Sequence, residues 1–301
     1  MSKNFYSIIR NGVKSIKIVS KQTRMIALQP QGHKPAFFMV DSFPYFIDIV
    51  GLLGPDRPVM SLIGQEITQT SAHYSIIEEA AAHVSAICAF QPRGPYLLGG
   101  CSASGVVAYE TAQQLRSLGH QVALLVMFDE PNPEVACDDP ARMQWREFPR
   151  WMAGKFERLF ERNRARLQIW CSPQQQKLDV PRRFAPLSSR IEAAKNYVPA
   201  PYRGRFLLFK RNCQFTERGR YLDREFGWGR AVTGQMEVCT LNAKGHLEIF
   251  QTEHDRVLVS SKLRSALDEV ADGFSNLAPL ESNRESDDRS GPLAPGAVLE
   301  R

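Results

Sequence analysis

No apolar run in this 301-residue chain approaches the roughly 18 residues that a bilayer-spanning helix needs. The N-terminus lacks an apolar stretch followed by a small-residue cleavage site, so no secretory leader is expected. Cysteine is sparse and scattered: Cys88, Cys101, Cys137, Cys171, Cys213 and Cys239 form no C-x-x-C pair. They read as reduced thiols in a cytoplasmic protein, which excludes a disulfide framework and a zinc site. Acidic residues are missing altogether from residues 1–40, which hold Lys3, Arg10, Lys14, Lys17, Lys21, Arg24 and Lys34. What is present is ordinary for a folded domain, with 43% hydrophobic residues and a net charge of +6.

That charge is unevenly spread. Residues 142–183 carry eleven Lys or Arg against four acids. Such a bias reads as a solvated basic face or as a docking face for an acidic partner. No nucleic-acid motif accompanies it, so nucleic acid is not the expected partner.

Strand and helix patterns alternate through the first half of the chain. Met25–Leu28, Ala36–Val40 and Pro58–Leu62 are short apolar runs bounded by turn residues, hence strands. Residues 46–53 read as a helix ending at Gly54-Pro55. A second helix is expected over Ser75–Phe90, where Ser75 and Glu78 have capping-box spacing. Tyr96–Cys101 is a strand, Val106–Leu118 a helix and Val122–Phe128 a strand. Arg205–Phe209 and Met236–Leu241 continue the sheet, and a terminal helix covers about 255–274. This order predicts an α/β fold, with a mostly parallel central sheet covered by helices on both faces. Function in such sheets collects at the carboxyl ends of the strands, where Asp41-Ser42, Ser102 and Asp129 fall.

Three stretches stand outside the alternation. Residues 1–24 are basic and weakly amphipathic, and read as an extension that is a short helix or loosely attached. Residues 135–195 hold aromatics such as Trp145, Trp151, Phe156 and Trp170 at helical spacing, with a basic opposite face. They read as a helical lid inserted after the Asp129 strand, or as an ordinary packed helix. Residues 275–301 are polar and proline-containing, and read as a disordered tail. The folded domain is thus expected over 25–274.

The turn between the Tyr96 strand and the next helix reads Gly100-Cys101-Ser102-Ala103-Ser104-Gly105. A serine on a tight strand-to-helix turn is a nucleophile elbow, with the Ala103 N–H placed to stabilise an oxyanion. The alternative is a small-residue connection with no chemistry. Ser104 stands where G-x-S-x-G has its second glycine.

Several separated pieces together resemble the type I thioesterase domains of non-ribosomal peptide and polyketide synthases, members of the α/β-hydrolase superfamily. Leu28-Gln29-Pro30-Gln31-Gly32 resembles the family's LQPxG segment. Gly94–Gly100 with Ser102 and Val106–Glu110 resembles GPYxLGGWSFGGxVAYE. Tyr197–Tyr202 and Phe226–Gly229 resemble YxPxPY and LGWG, and Gly245-His246-Leu247 the histidine loop. The resemblance implies a triad in which Ser102 attacks an acyl thioester, His246 takes its proton and Asp129 holds the imidazole. Glu130 is the near alternative to Asp129, which also fits a helix cap, and His254 the rival of His246. The oxyanion hole would comprise Ala103 with Ser42 or Phe43, since Pro44 cannot donate. Asp41 stands where the family has a histidine-and-glycine run. An acid there opposes an oxyanion if it points inward, and supports the loop if it points away. No metal or cofactor is implied; the substrate arrives on the phosphopantetheine arm of an acyl or peptidyl carrier protein. The other classes of reading are a catalytically impaired binding protein on the same fold and a small-molecule esterase.

Overall fold

The computed structural model describes residues 17–20, 25–41, 46–64, 74–136, 187–213, 222–246 and 248–275. The aromatic and basic stretch at 137–186, Ser42 and Phe43, and the tail from 276 lie outside the described residues. So do the second-oxyanion-donor and tail expectations, residues 1–16 of the expected extension, and the lid expectation except at 135–136 and at 187–195, which is helical.

The strands are β1 Lys17–Ser20, β2 Met25–Gln29, β3 Phe37–Val40, β4 Val59–Leu62, β5 Tyr96–Cys101, β6 Val122–Phe128, β7 Phe206–Arg211 and β8 Met236–Leu241. They form one eight-stranded sheet in the order β1-β2-β4-β3-β5-β6-β7-β8. Only the pairings β1–β2 and β2–β4 are antiparallel. From β4 to β8 every neighbour is parallel. The helices are α1 Ile47–Val50, α2 Ile76–Phe90, α3 Ala103–Ser117, α4 Pro133–Ala136, α5 Leu187–Asn196 and α6 Glu253–Ser275.

Continuous apolar strands are explained by burial on both faces. Phe38 and Val40 of β3, Leu98 of β5, Met127 of β6 and Leu208 of β7 pack with α2 and α3 in one core. The alternate residues Phe37, Met39, Leu97, Val126, Phe128 and Phe209 pack with α1 and α6 in the other. The capping expectation holds, since the Ser75 side chain accepts the Glu78 N–H at 3.3 Å.

Two differences from the sequence reading concern ends of elements. Residues 17–20, placed in the basic extension, form an edge strand. Ile18 and Val19 suit a strand, and pairing here covers an edge that β2 would otherwise expose. The helix expected over 46–53 stops at Val50. Leu52 and Leu53 then bond back to Ile49 and Val50, a tighter 3₁₀ spacing, before Gly54 turns the chain at φ +90°.

The segments outside the catalytic pattern brace the scaffold. Gln29 donates to the Gly54 and Arg57 carbonyls at 2.7 Å each. Gly32 lies at φ +134°, and a Cβ there would come within 2.3 Å of the Asp56 carbonyl carbon. Tyr109 donates to Ala200 O at 2.6 Å and Tyr197 to Glu110 at 2.5 Å. Trp228 packs on Tyr109 at 4.9 Å between centroids. The VAYE, YxPxPY and LGWG pieces thus meet as one packed unit that holds α3 against the chain near α5.

Candidate active site

Serine 102 sits between β5 and α3 at φ 56°, ψ −144°. A non-glycine residue in that region costs about 1–3 kcal/mol and persists only where its surroundings impose it. Here they do. The Ser102 N–H donates to Phe128 O at 3.0 Å, and the Ser102 carbonyl accepts from Gly105 N at 2.7 Å. Two glycines let the strand and helix close up. A Cβ on Gly100 would lie 2.5 Å from Ser104 O, and one on Gly105 would lie 2.1 Å from Met127 Sδ. Ala103 opens α3, so its N–H belongs to the first-turn amides that have no intrahelical acceptor. The strand-to-helix turn expected at Ser102 is present.

Asp129 follows β6, the strand next to β5, and also has a positive φ of 51°. Its N–H donates to Phe209 O at 2.7 Å. Its carboxylate is fully buried and accepts three hydrogen bonds. Oδ1 takes the Arg211 N–H at 2.9 Å, and Oδ2 takes Arg211 Nε at 2.5 Å and His246 Nδ1 at 2.7 Å. The backbone carbonyl of Glu130, the alternative acid, accepts from Trp228 Nε1 at 2.7 Å. His254, the alternative histidine, is exposed in the first turn of α6.

The histidine loop is fixed from behind. Lys244 N and Gly245 N both donate to Glu248 Oε2 at 3.0 Å. Asn242 N donates to the buried Asp255 at 3.0 Å. Arg211 Nη1 reaches Lys244 O at 3.3 Å, which joins the loop to the acid's own partner.

Burial pulls the His246 pKa down, but the hydrogen bond and charge of Asp129, helped by Glu130, outweigh burial and the opposing Arg211. The net shift is upward from the ordinary 6.5. Its Nε2 is buried and has no hydrogen-bond partner among the described residues. The structure therefore brings Asp129 and His246 into contact and sets Ser102 on the adjoining strand end. It shows no hydrogen bond between Ser102 and His246, a bond that often tightens only with substrate.

On the other side of the elbow, Asp41 leaves β3 at φ 41°. Val40 is paired with Gly100, which places Asp41 alongside the elbow. Its carboxylate is half-exposed and paired with Arg190. The same guanidinium bonds Ser104 Oγ and the fully buried Glu79.

Sequence reasoning missed Arg211, Arg190 and Glu79. Two signals were available. Lys210-Arg211 ends an otherwise apolar strand next to the Asp129 strand end. Glu79 lies on the stripe formed by Ile76, Ala80, His83, Val84 and Ile87, where a charge demands a buried partner.

Among the described residues no cluster of His, Cys, Asp and Glu could hold a metal ion. None of their helices is long and apolar enough to cross a membrane.

Residues 56–176 match the family model described as a thioesterase domain, a span that includes Ser102 and Asp129. A non-reducing polyketide synthase, crz7 of Cladonia metacorallifera, is 34% identical over 115 residues, covering 35% of this chain and 5% of the synthase. The non-ribosomal peptide synthetase btyA of Aspergillus terreus is 33% identical over 100 residues, covering 32% of this chain and 11% of the synthetase. The chain thus spans a small part of the curated relatives that it matches. Among solved structures, the NocB thioesterase domain from the nocardicin cluster superposes with a TM-score of 0.54 at 22% identity, covering 81% of this chain and 99% of NocB's domain. At that identity the likeness shows the fold. Residues 56–176 thus resemble the thioesterase-domain family and the matching parts of polyketide and non-ribosomal peptide synthases, and the fold is the α/β-hydrolase fold of the NocB domain.

Proposed function

We propose that the chain is a serine thioesterase that takes an acyl, peptidyl or polyketide chain from a carrier-protein phosphopantetheine thioester, in the cytoplasm. The observation that carries this reading is the buried Asp129–His246 pair, at 2.7 Å, beside a serine held in a nucleophile elbow.

Ser102 Oγ attacks the thioester carbonyl while His246 Nε2 accepts its proton. Asp129 keeps the Nδ1 proton in place and stabilises the imidazolium. The Ala103 N–H, at the positive end of α3, stabilises the oxyanion. His246 then returns the proton to the departing thiol. Water or a hydroxyl or amine of the chain resolves the acyl-serine.

His246 Nε2, which has no hydrogen-bond partner among the described residues, supports this assignment. A buried ring nitrogen without a partner costs stability, and a catalytic role is one reason such a cost is retained.

A fluorophosphonate serine probe tests the reading. Wild type is expected to gain one covalent label, located by mass spectrometry on Ser102, and Ser102→Ala none. Labelling elsewhere removes the assignment. A folded wild type that neither labels nor turns over an acyl thioester favours the binding-protein alternative.

The pH profile supplies a second check. The base must be neutral, and its pKa is raised, so the acid limb of kcat/KM is expected to have its midpoint above 6.5. Asp129→Asn removes the two largest upward influences and leaves burial and Arg211 to lower the pKa against Glu130 alone. The residual activity of that variant should lose its acid limb at a lower pH than wild type. An unshifted limb means that another group titrates.

A further inference from the structure

Arg190 is almost fully buried yet bonds four side chains from three separate pieces of chain. Its Nη2 donates to Glu79 Oε1 of α2 at 2.8 Å, and its Nε donates to the Tyr74 hydroxyl at 3.2 Å. Its Nη1 donates both to Asp41, at the end of β3, and to Ser104 Oγ, in the first turn of α3, at 3.2 Å. Space for it is built in. A Cβ on Gly64, just past β4, would lie 2.0 Å from Nη2 and 2.8 Å from Glu79 Oε1. The helix that carries Arg190 contacts both α2 and α3.

This arrangement answers a physical difficulty. An oxyanion forming on the Ser102 adduct develops at the N-terminus of α3. The Asp41 carboxylate shares a guanidinium nitrogen with Ser104, two residues beyond the nucleophile. An uncompensated carboxylate at that distance would raise the energy of the oxyanion. Glu79 alone could compensate the buried arginine. The further bond to Asp41 brings the guanidinium charge onto a carboxylate that is half in solvent and needs no partner for its own stability. Ser104 also finds a use here: glycine at that position would offer Nη1 no acceptor.

We propose that Arg190 is a positioning residue for the oxyanion side of the site, one that neutralises the Asp41 carboxylate and holds it against Ser104, away from the developing charge. The inference rests on the reading of Ser102 as the nucleophile.

The test is a double-mutant cycle on a small acyl thioester, with rates referred to the number of sites titrated by fluorophosphonate. Arg190→Gln is expected to lower kcat about 10- to 100-fold, the scale of one unit charge acting across a partly buried site, with KM changed much less. Adding Asp41→Asn to that variant is expected to recover most of the loss. The gain from Asp41→Asn must be larger without Arg190 than with it. Arg190→Lys, which keeps the charge, should retain more activity than Arg190→Gln.

Arg190→Gln leaves Glu79 buried without its cation, and the variant can fail to fold. The same comparison is then made in Glu79→Gln/Arg190→Gln, with and without Asp41→Asn. A recovery overturned by equal gains in both backgrounds, or absent in folded protein, shows Arg190 to be only a structural tie. A wild type that neither labels at Ser102 nor turns over thioester overturns the nucleophile reading, and this inference with it.

Discussion

Ser102→Ala and His246→Ala are each expected to lower thioester turnover by about 10⁶-fold, and Asp129→Asn by about 10⁴-fold. The effects should not add: a triple variant should be about as slow as the Ser102 or His246 variant, because the three groups act as one unit. The structure gives the reason for the Asp129 effect. Its carboxylate accepts from the Arg211 backbone N–H, from Arg211 Nε and from His246 Nδ1. An asparagine there has one acceptor oxygen and one NH₂ group. With its oxygen on Arg211, its NH₂ faces His246 Nδ1. The imidazole must then present an unprotonated Nδ1 and carry its hydrogen on Nε2, where it cannot accept the serine proton. Single-turnover rates for the four proteins decide this. A His246→Ala enzyme within tenfold of wild type would remove the triad assignment.

Gly100→Ala is the second large effect, and it arises from packing alone. Gly100 is the last glycine of β5 before the elbow. An added methyl would lie 2.5 Å from Ser104 O and 2.7 Å from the Gly105 Cα. Both are backbone atoms, so no side chain can swing away, and strand and helix must part. Overpacking of this kind costs about 1–3 kcal/mol. The same displacement moves Ser102 and the Ala103 N–H relative to His246, and a misplacement of about 1 Å can cost about 100-fold in rate. Gly100→Ala is thus expected to lower both the melting temperature and kcat. Gly105→Ala is the contrast. Its closest clash is with Met127 Sδ, a flexible side chain that can yield. A smaller rate loss is expected there. Equal losses at the two glycines would mean that the elbow tolerates backbone movement.

Much of the site was legible because its chemistry depends on local sequence. The elbow needs small residues flanking a serine between an apolar strand and a helix, and those residues are contiguous. Asp129 and His246 were legible through strand ends, since a parallel sheet gathers these ends on one side. The contact between Asp129 and His246, at 2.7 Å, supports Asp129 over Glu130 and His246 over His254 and could not be read from the sequence. Asp129, at a positive φ, meets a loop 117 residues away, a pairing that no local spacing encodes.

The arginines were not legible as site residues. Arg190 and Arg211 lie 86 and 82 residues from the groups they serve, Ser104 and Asp129. Charge patterning in the sequence pointed elsewhere, to residues 142–183. A lone arginine has no spacing rule, and its role follows only from what surrounds it after folding.

The sequence alone determined most of the strands and helices, the tight serine turn and the chain order Ser, Asp, His, because these are set by neighbours a few residues apart. Tertiary structure alone decided which charges meet. Burial forces every buried charge to find a partner, and the partners come from distant segments. The pairing of Asp41 with Arg190, and of Asp129 with both Arg211 and His246, is therefore a property of the fold rather than of any stretch of chain.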